Sequence, residues 1–377
     1  MRPIALAALV AALFLIVAAS EAQPPAKNPD PKAKTDPKAD PKAKTDPKAK
    51  EPEQKFNLKL KVDDIVFGNP VMGPKMGLQD VKSHAVLYDM WGINCPPCLA
   101  AMPHTSELYA ELEGFGLIII GAHSQGGEAE KVRAVAIQHH ANFPIQVNAH
   151  VKGSEDNKFL PHCILFDHTG ACIFRGQPTD VEALVRKAVG AALVAAAGRD
   201  KWSSQMDGII KDLKAGKPPA GILARVAAYR TAKGDLGEDA TALLKAMTAA
   251  GTKKLEEATS KKDSEPLEAF LLIEKVPTIY KGAPLATEAN ELLNKLKGDK
   301  AVKAELAARP ALEKVKQIDQ QLGLGADDPR KPEWQKAHKE PLKQLKDKVS
   351  AMKKSWPDAH STQEAVAIAD RYGVELK

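Results

Sequence analysis

Apolar and polar residues alternate along the chain in rhythms that change near residues 20, 55 and 200. Ile4 to Ala19 is a short continuous apolar run, and from Gln23 to about Gln54 there is hardly an apolar side chain. Phe56-Asn57-Leu58-Lys59-Leu60-Lys61-Val62 then alternates apolar with polar, the pattern of a half-buried strand. His84–Met90 is a more continuous apolar strand, and a helix is expected from Cys95 through Leu112. Leu117–Ile120 reads as a buried strand bounded by glycines, followed by a helix from about Gly127 to His140. Cys163–Phe166 and Ala171–Phe174 flank Asp167-His168-Thr169-Gly170 as a hairpin. A last helix is expected at Thr179, where Thr179 and Glu182 form a capping box. This order predicts a small mixed α/β sheet with helices on both faces.

Beyond Asp200 the strand signal stops. Leu243–Leu255, Leu267–Tyr280, Leu285–Leu296 and Leu312–Leu322 carry apolar residues at helical spacing. Pro266, Pro284 and Pro310 stand where helices can begin, and Gly282, Gly298 and Gly323 where they can end. Pro266–Lys281 and Pro284–Lys297 pair as a helical hairpin, and the charged tail from Asp327 has Trp334, Leu342, Leu345 and Val349 as its apolar stripe. Residues 199–377 are therefore expected to form a separate all-α C-terminal domain. It either presents partner proteins or clients, or serves as a charged spacer.

The N-terminal pattern changes the picture of where the chain works. Arg2, the apolar run and small residues up to Ser20 and Ala22 make residues 1–22 a secretory signal, with cleavage after Ala22 or Ser20. Retention of that segment as a membrane anchor is the alternative. Residues 23–55 repeat Asp-Pro-Lys-Ala-Lys-Thr-Asp-Pro-Lys-Ala from Asp30 and again from Asp40, a composition that builds no core and reads as an extended tether. The location expected is the periplasm or cell envelope. A formal charge of +6 adds little, because basic and acidic residues interleave; a nucleic-acid partner would call for clustered cations.

The chain has four cysteines, too sparse for a disulfide scaffold. Cys95 and Cys98 form one tight C-x-x-C, while Cys163 and Cys172 lie far downstream. Taken alone, the pair is a redox dithiol, half of a zinc site or an accident. At the first turn of a helix, Cys95 would face unpaired backbone N–H groups that favour thiolate, making it the nucleophile. Cys98, one turn in, would resolve a mixed disulfide. Pro96 and Pro97 each remove an N–H, so the lowering of the thiol pKa should be moderate, which suits a reductant or isomerase. Cys163 and Cys172 straddle the hairpin turn on the same face but out of register, and are expected as buried free thiols.

Asp89-Met90-Trp91-Gly92-Ile93-Asn94-Cys95-Pro96-Pro97-Cys98-Leu99-Ala100-Ala101-Met102-Pro103 resembles the active-site segment of the thioredoxin superfamily, and its double proline resembles the TlpA-like, envelope-exposed branch. The likeness implies a thioredoxin fold over residues 56–198 and a protein-disulfide oxidoreductase needing no dissociable cofactor. Protein thiols and disulfides would be its substrates, and a membrane or envelope electron donor its partner. It implies that Asp89 moves the proton of Cys98, and that Pro161 is cis and packs on the cysteine pair. The backbone of Leu160 would pair with the client, where the family more often has Thr or Val. Pro96, Pro97 and Leu160 would then line the client-binding surface, with Trp91 packed under it, and Pro103 would kink the helix. Two rival functions remain open: a helical scaffold with a redox-sensing domain, and a metallochaperone using His104, His123 or His162. A peroxidase lacks its threonine three residues before Cys95.

Overall fold

The computed structural model describes residues 56–323 and 328–376; the signal expected at 1–22 and the tether at 23–55 lie outside the described residues. In chain order the first part carries β1 (Ile65–Val66), β2 (Asn69–Met72), α1 (Leu78–Val81), β3 (Ala85–Trp91), α2 (Pro96–Leu112) and β4 (Leu117–His123). There follow α3 (Ala129–Gln138), β5 (Ile145–Val147), β6 (His150–Val151), β7 (His162–Phe166), β8 (Cys172–Gly176) and α4 (Glu182–Ala196). Six strands form one mixed sheet in the order β2-β5-β4-β3-β7-β8, and β1 pairs with β6 apart from it. The central strand β3 is parallel to β4 through the α2 crossover and antiparallel to β7, which turns into β8. This is the thioredoxin fold, and an all-α region follows it.

Alternation of side chains across the sheet divides the core. Ala85, Leu87 and Trp91 of β3 join apolar residues of α2, α3 and α4 on one face. Val86 and Tyr88 join Ile120, Ile164 and Phe166 on the other, which is covered by α1, β1, β6 and the turn at Val62. Arg186 of α4 bonds both Glu182 and Glu111, fastening α4 to α2 beside the sheet.

Several local expectations are corrected. Phe56–Val62 is not a strand: only Lys61 bridges to Ala171, because Val62–Asp64 coils into a 3-10 turn in which Asp64 accepts the Lys61 N–H at 2.7 Å. Leu60 and Val62 are nonetheless buried, so the alternation reports burial rather than ladder pairing. Thr179 makes no capping box. Pro178–Asp180 forms a 3-10 turn, and α4 starts at Glu182 with Val181 at its N-cap.

Helices continue as α5 (Ser204–Lys214), α6 (Pro219–Tyr229), α7 (Asp235–Lys261), α8 (Pro266–Ile273), α9 (Val276–Ile279), α10 (Pro284–Leu296) and α11 (Lys300–Leu322). The last are α12 (Pro332–Ala337), α13 (Lys339–Ser355) and α14 (His360–Arg371). Pro266 and Pro284 open helices, whereas Pro310 sits inside α11, whose start is capped instead by Asp299 accepting from Ala301 and Val302. Pro277 separates α9 from α8, dividing the stretch expected as one helix.

The core under α2 and α4 runs without a break into α5–α10 and as far as Val302. Helices α4 and α5 cross so closely that a Cβ on Gly190 would lie 1.9 Å from the Leu213 carbonyl oxygen, a contact only glycine allows. Residues from Ala308 onward on α11, α13 and α14 build a second core of their own.

Candidate active site

β3 delivers the site. It ends at Trp91, the chain turns through Gly92-Ile93-Asn94, and α2 starts at Pro96 with Cys95 as its N-cap. Cys95 and Cys98 are joined as a disulfide, and the Cys98 N–H points at the Cys95 sulfur at 3.3 Å. Pro96 and Pro97 occupy the two positions where a missing N–H costs the helix nothing. Both prolines are exposed, while both cysteines are buried. Pro103 lies inside α2.

The turn before Cys95 is held from β4. The Ile93 N–H donates to His123 Nε2 at 3.2 Å, the Asn94 N–H to Gln125 Oε1 at 2.8 Å, and the Ser124 N–H to the Trp91 carbonyl at 2.9 Å. A Cβ on Gly92 would meet the Gln125 side chain at 2.2 Å, so a larger residue there would push Gln125 out of this clasp. Burial holds the His123 imidazole below the ordinary histidine value, in keeping with a neutral ring that accepts from Ile93. Trp91 is 1% exposed and stands edge-on to His123, so it supports the turn from beneath.

Asp89 shares its face of β3 with Leu87 and Trp91, the face that carries α2. It is 6% exposed, its Oδ1 has no protein partner, and burial pushes its carboxyl up to about 7. Its cross-strand neighbour on β7 is Cys163. Leu160 and Pro161 immediately precede β7, half-buried, and the bond between them is cis. Burial, and next the Arg175 charge, push the following His162 down to about 4.

The downstream cysteines are free and buried. The expectation that they share a face is corrected: they lie on opposite faces, because β8 carries a bulge. Cys163 pairs with Gly176 and Leu165 with Phe174, but Phe166 pairs with Cys172, which leaves Ile173 over. One extra residue turns Cys172 to the side opposite Cys163. His104 lies 3.3 Å from Glu182, away from His123 and His162 in its contacts. Among the described residues no three His, Cys, Asp or Glu side chains are grouped to hold a metal ion. No helix among them is long and apolar enough to cross a membrane.

Sequence reading did not find Gln125, nor the buried Arg175 beside His162. For Gln125 the available signal was position: the loop after β4 leaves the same sheet edge as the turn after β3, where sites in such sheets collect.

No family model matches the chain. Over 103 residues, 27% of the chain, it is 29% identical to the thiol-disulfide oxidoreductase ResA of Halalkalibacterium halodurans, and it spans 58% of that protein's length. It is also similar to a solved thiol-disulfide isomerase from Corynebacterium glutamicum, with 17% identity, 33% of this chain and 92% of that one covered, and a TM-score of 0.29. A thiol:disulfide interchange protein from Chlorobium tepidum aligns with 14% identity over 36% of this chain and 99% of that one, with a TM-score of 0.31. The chain carries a thioredoxin-like domain; the helices after it have no assigned counterpart.

Proposed function

We propose that the chain is an exported protein-disulfide oxidoreductase that works by dithiol exchange through Cys95 and Cys98. The observation that supports this most is the pairing of an N-cap cysteine with a resolving cysteine one turn in, above a strand that buries a carboxyl whose Oδ1 has no protein partner. In the reduced protein the Cys95 thiolate attacks one sulfur of a client disulfide. That bond breaks, a client thiolate leaves, and Cys95 is held to the client as a mixed disulfide. Asp89 takes the proton of Cys98, whose sulfur then attacks the Cys95 sulfur. The second client thiol departs and the Cys95–Cys98 disulfide forms. A carboxyl with a pKa of about 7 can both take and return that proton near neutral pH.

In this reading Pro161 packs against the dithiol, and the Leu160 backbone aligns the client chain. Exposed Pro96 and Pro97 border the approach, and Trp91 carries the turn. The single backbone donor at Cys95, the Cys98 N–H, gives moderate thiolate stabilisation and favours reduction or isomerisation over strong oxidation. Residues 1–22 export the chain, 23–55 tether it, and electrons arrive from an envelope donor. The helices of 199–377 hold the catalytic region and offer a surface for client or partner.

The test is the reduction potential measured together with insulin-disulfide turnover and trapping. Cys98→Ser should accumulate mixed disulfides with clients and Cys95→Ser should not. Faster alkylation of Cys98 than of Cys95 at mildly acidic pH would reverse the assigned roles, and absence of turnover would remove the activity.

A further inference from the structure

One buried charge near the site takes no part in thiol exchange. The Arg175 side chain on β8 is fully buried, and it forks onto Asp156 with Nη1 to Oδ2 at 3.0 Å and Nη2 to Oδ1 at 2.6 Å. The same guanidinium donates to the Ser154 carbonyl at 3.3 Å and to the Asn57 carbonyl at 3.2 Å. Asn57 returns a bond from its N–H to Asp156 Oδ2 at 3.2 Å, and the Phe56 ring covers the guanidinium with its centroid 5.0 Å away. All of these partners lie in the first described residues or in the segment from Lys152 to Pro161, which has neither helix nor strand. That segment ends in Phe159, Leu160 and Pro161, directly before β7. Phe159 is 65% exposed, the most exposed of the large apolar side chains among the described residues.

We propose that Arg175 is a positioning residue that fixes the loop 154–161 so that Phe159 meets protein clients carrying an apolar side chain beside the reactive cysteine. The inference rests on the exchange activity proposed above and adds its substrate preference. A buried guanidinium stranded without its partners is strongly unfavourable, so the loop cannot drift while Arg175 stays in the sheet. Fork geometry fixes orientation as well as distance, which a single ammonium would not do. Phe159 is continuous with Leu160, the residue whose backbone is assigned to the client, so a client chain lying there passes over the ring. Large rigid aromatic side chains are typical anchors at protein contacts. A small disulfide has no chain to lie along Leu160 and over the ring, so it serves as the reference substrate.

The experiment uses the full chain, reduced, with insulin and a small aromatic disulfide as parallel substrates. Asp156→Asn, Arg175→Met and Phe159→Ser should each raise KM for insulin about tenfold, with kcat and the small-disulfide rate within about twofold of wild type. Arg175→Lys should fall between, since it keeps the charge and loses the fork. Hydrogen exchange should rise at amides 153–160 in Asp156→Asn while β7 and β8 keep their protection. Equal loss on both substrates, or an unchanged insulin KM in Asp156→Asn and Phe159→Ser, would overturn the proposal. Those two side chains are exposed or partly exposed, so they decide the matter even if Arg175→Met fails to fold. A wild-type chain inert towards both disulfides would instead overturn the exchange activity itself.

Discussion

The thioredoxin-like region and the helical region share a continuous core, yet, with the Arg175–Asp156 fork set apart, they treat buried polar groups in opposite ways. In the helices, buried charge is paired. Asp239 accepts from Arg199 and from the Ser203 N–H, Glu305 from Arg309 and from both the N–H and the hydroxyl of Ser361, and Asp319 from Arg371 and Tyr372. In the sheet, Asp89, Trp91, His123 and His162 each keep a buried polar atom without a protein partner. Ser203 and Thr362 are the exceptions beyond residue 199 among the described residues, and both are hydroxyls. An unpaired buried group costs about 1–3 kcal/mol, more when it is charged. Such groups persist where they are needed for something other than stability, and here they gather on β3, β4 and β7, the strands that adjoin Cys95, Cys98 and Pro161. The helical half spends its polar groups on fixing itself and, through itself, the sheet.

The largest expected effect tests that support. The Tyr280 hydroxyl donates to the Gly114 carbonyl at 2.5 Å, its ring lies 5.7 Å from Phe115, and Gly190 is pressed against Leu213. A chain ending at Gly198 uncovers Phe115 and the α4 face around Gly190, and is expected to lose its cooperative unfolding transition. A chain ending at Gly298 keeps these contacts and loses mainly the second core, so it should fold and turn over a small disulfide. Calorimetry and turnover on the two truncations check this. A cooperative, active chain ending at Gly198 would mean that the helices support nothing in the sheet.

Next in size is Asp89→Asn. General acid–base catalysis typically contributes about 10²-fold or more, and a loss of that order is expected at pH 7. Stability should move the other way. Since the folded carboxyl is raised above its unfolded value, to about 7, the wild type is relatively favoured at low pH and loses stability as pH rises from ~4 through 7. Asparagine removes that slope, so urea midpoints of the two proteins should agree near pH 4 and separate by pH 8, with Asp89→Asn the more stable. A variant that is slower and also less stable at pH 8 would place Asp89 with the paired, structural acids.

How much of this was legible follows from the range of each signal. The dithiol, Asp89, Trp91 and the Leu160–Pro161 pair lie within short segments whose pattern survives in sequence, and the runs of β3, β4 and β7 are continuous because both faces of these strands are buried. β2 and β5 are four and three residues long, too short to show a period. The bulge that turns Cys172 over is a single residue with no compositional mark. Gln125 and Arg175 act on backbone or side chains 31 and 19 residues away, which no local pattern encodes. The docking of the helices did leave a trace. In α4, Val185, Ala188, Val189, Ala192, Leu193 and Val194 are buried on more than one side, and a helix apolar so far round its axis has a second neighbour besides its sheet.

The smallest effect is the sharpest contrast with Asp89. Burial alone would raise the Glu305 carboxyl, but hydrogen bonds from Ser361 and Arg309 outweigh it and hold the group below its ordinary value. A depressed folded value contributes stability that is present above the unfolded pKa, roughly 4.3, and is lost as pH falls through the folded one. This is the opposite sign to Asp89. Glu305→Gln keeps the shape, weakens the bonds to Arg309 and Ser361, and should cost about 1–3 kcal/mol near neutral pH, shrinking as pH drops below 4. Ser361 opens α14 while Arg309 also reaches Glu274 of α8 at 2.7 Å, so the loss is expected where α14 meets α11 and α8. Turnover per folded molecule should match wild type, because the hydrogen-bond partners of Glu305, Arg309 and Ser361, both lie in the helical region, away from α2 and its dithiol. Denaturant midpoints from pH 3 to 8, with turnover measured alongside, read both halves of the expectation. If Glu305→Gln slowed exchange as Asp89→Asn does, the paired charges of the helices would belong to the chemistry, and the division between the two regions would fail.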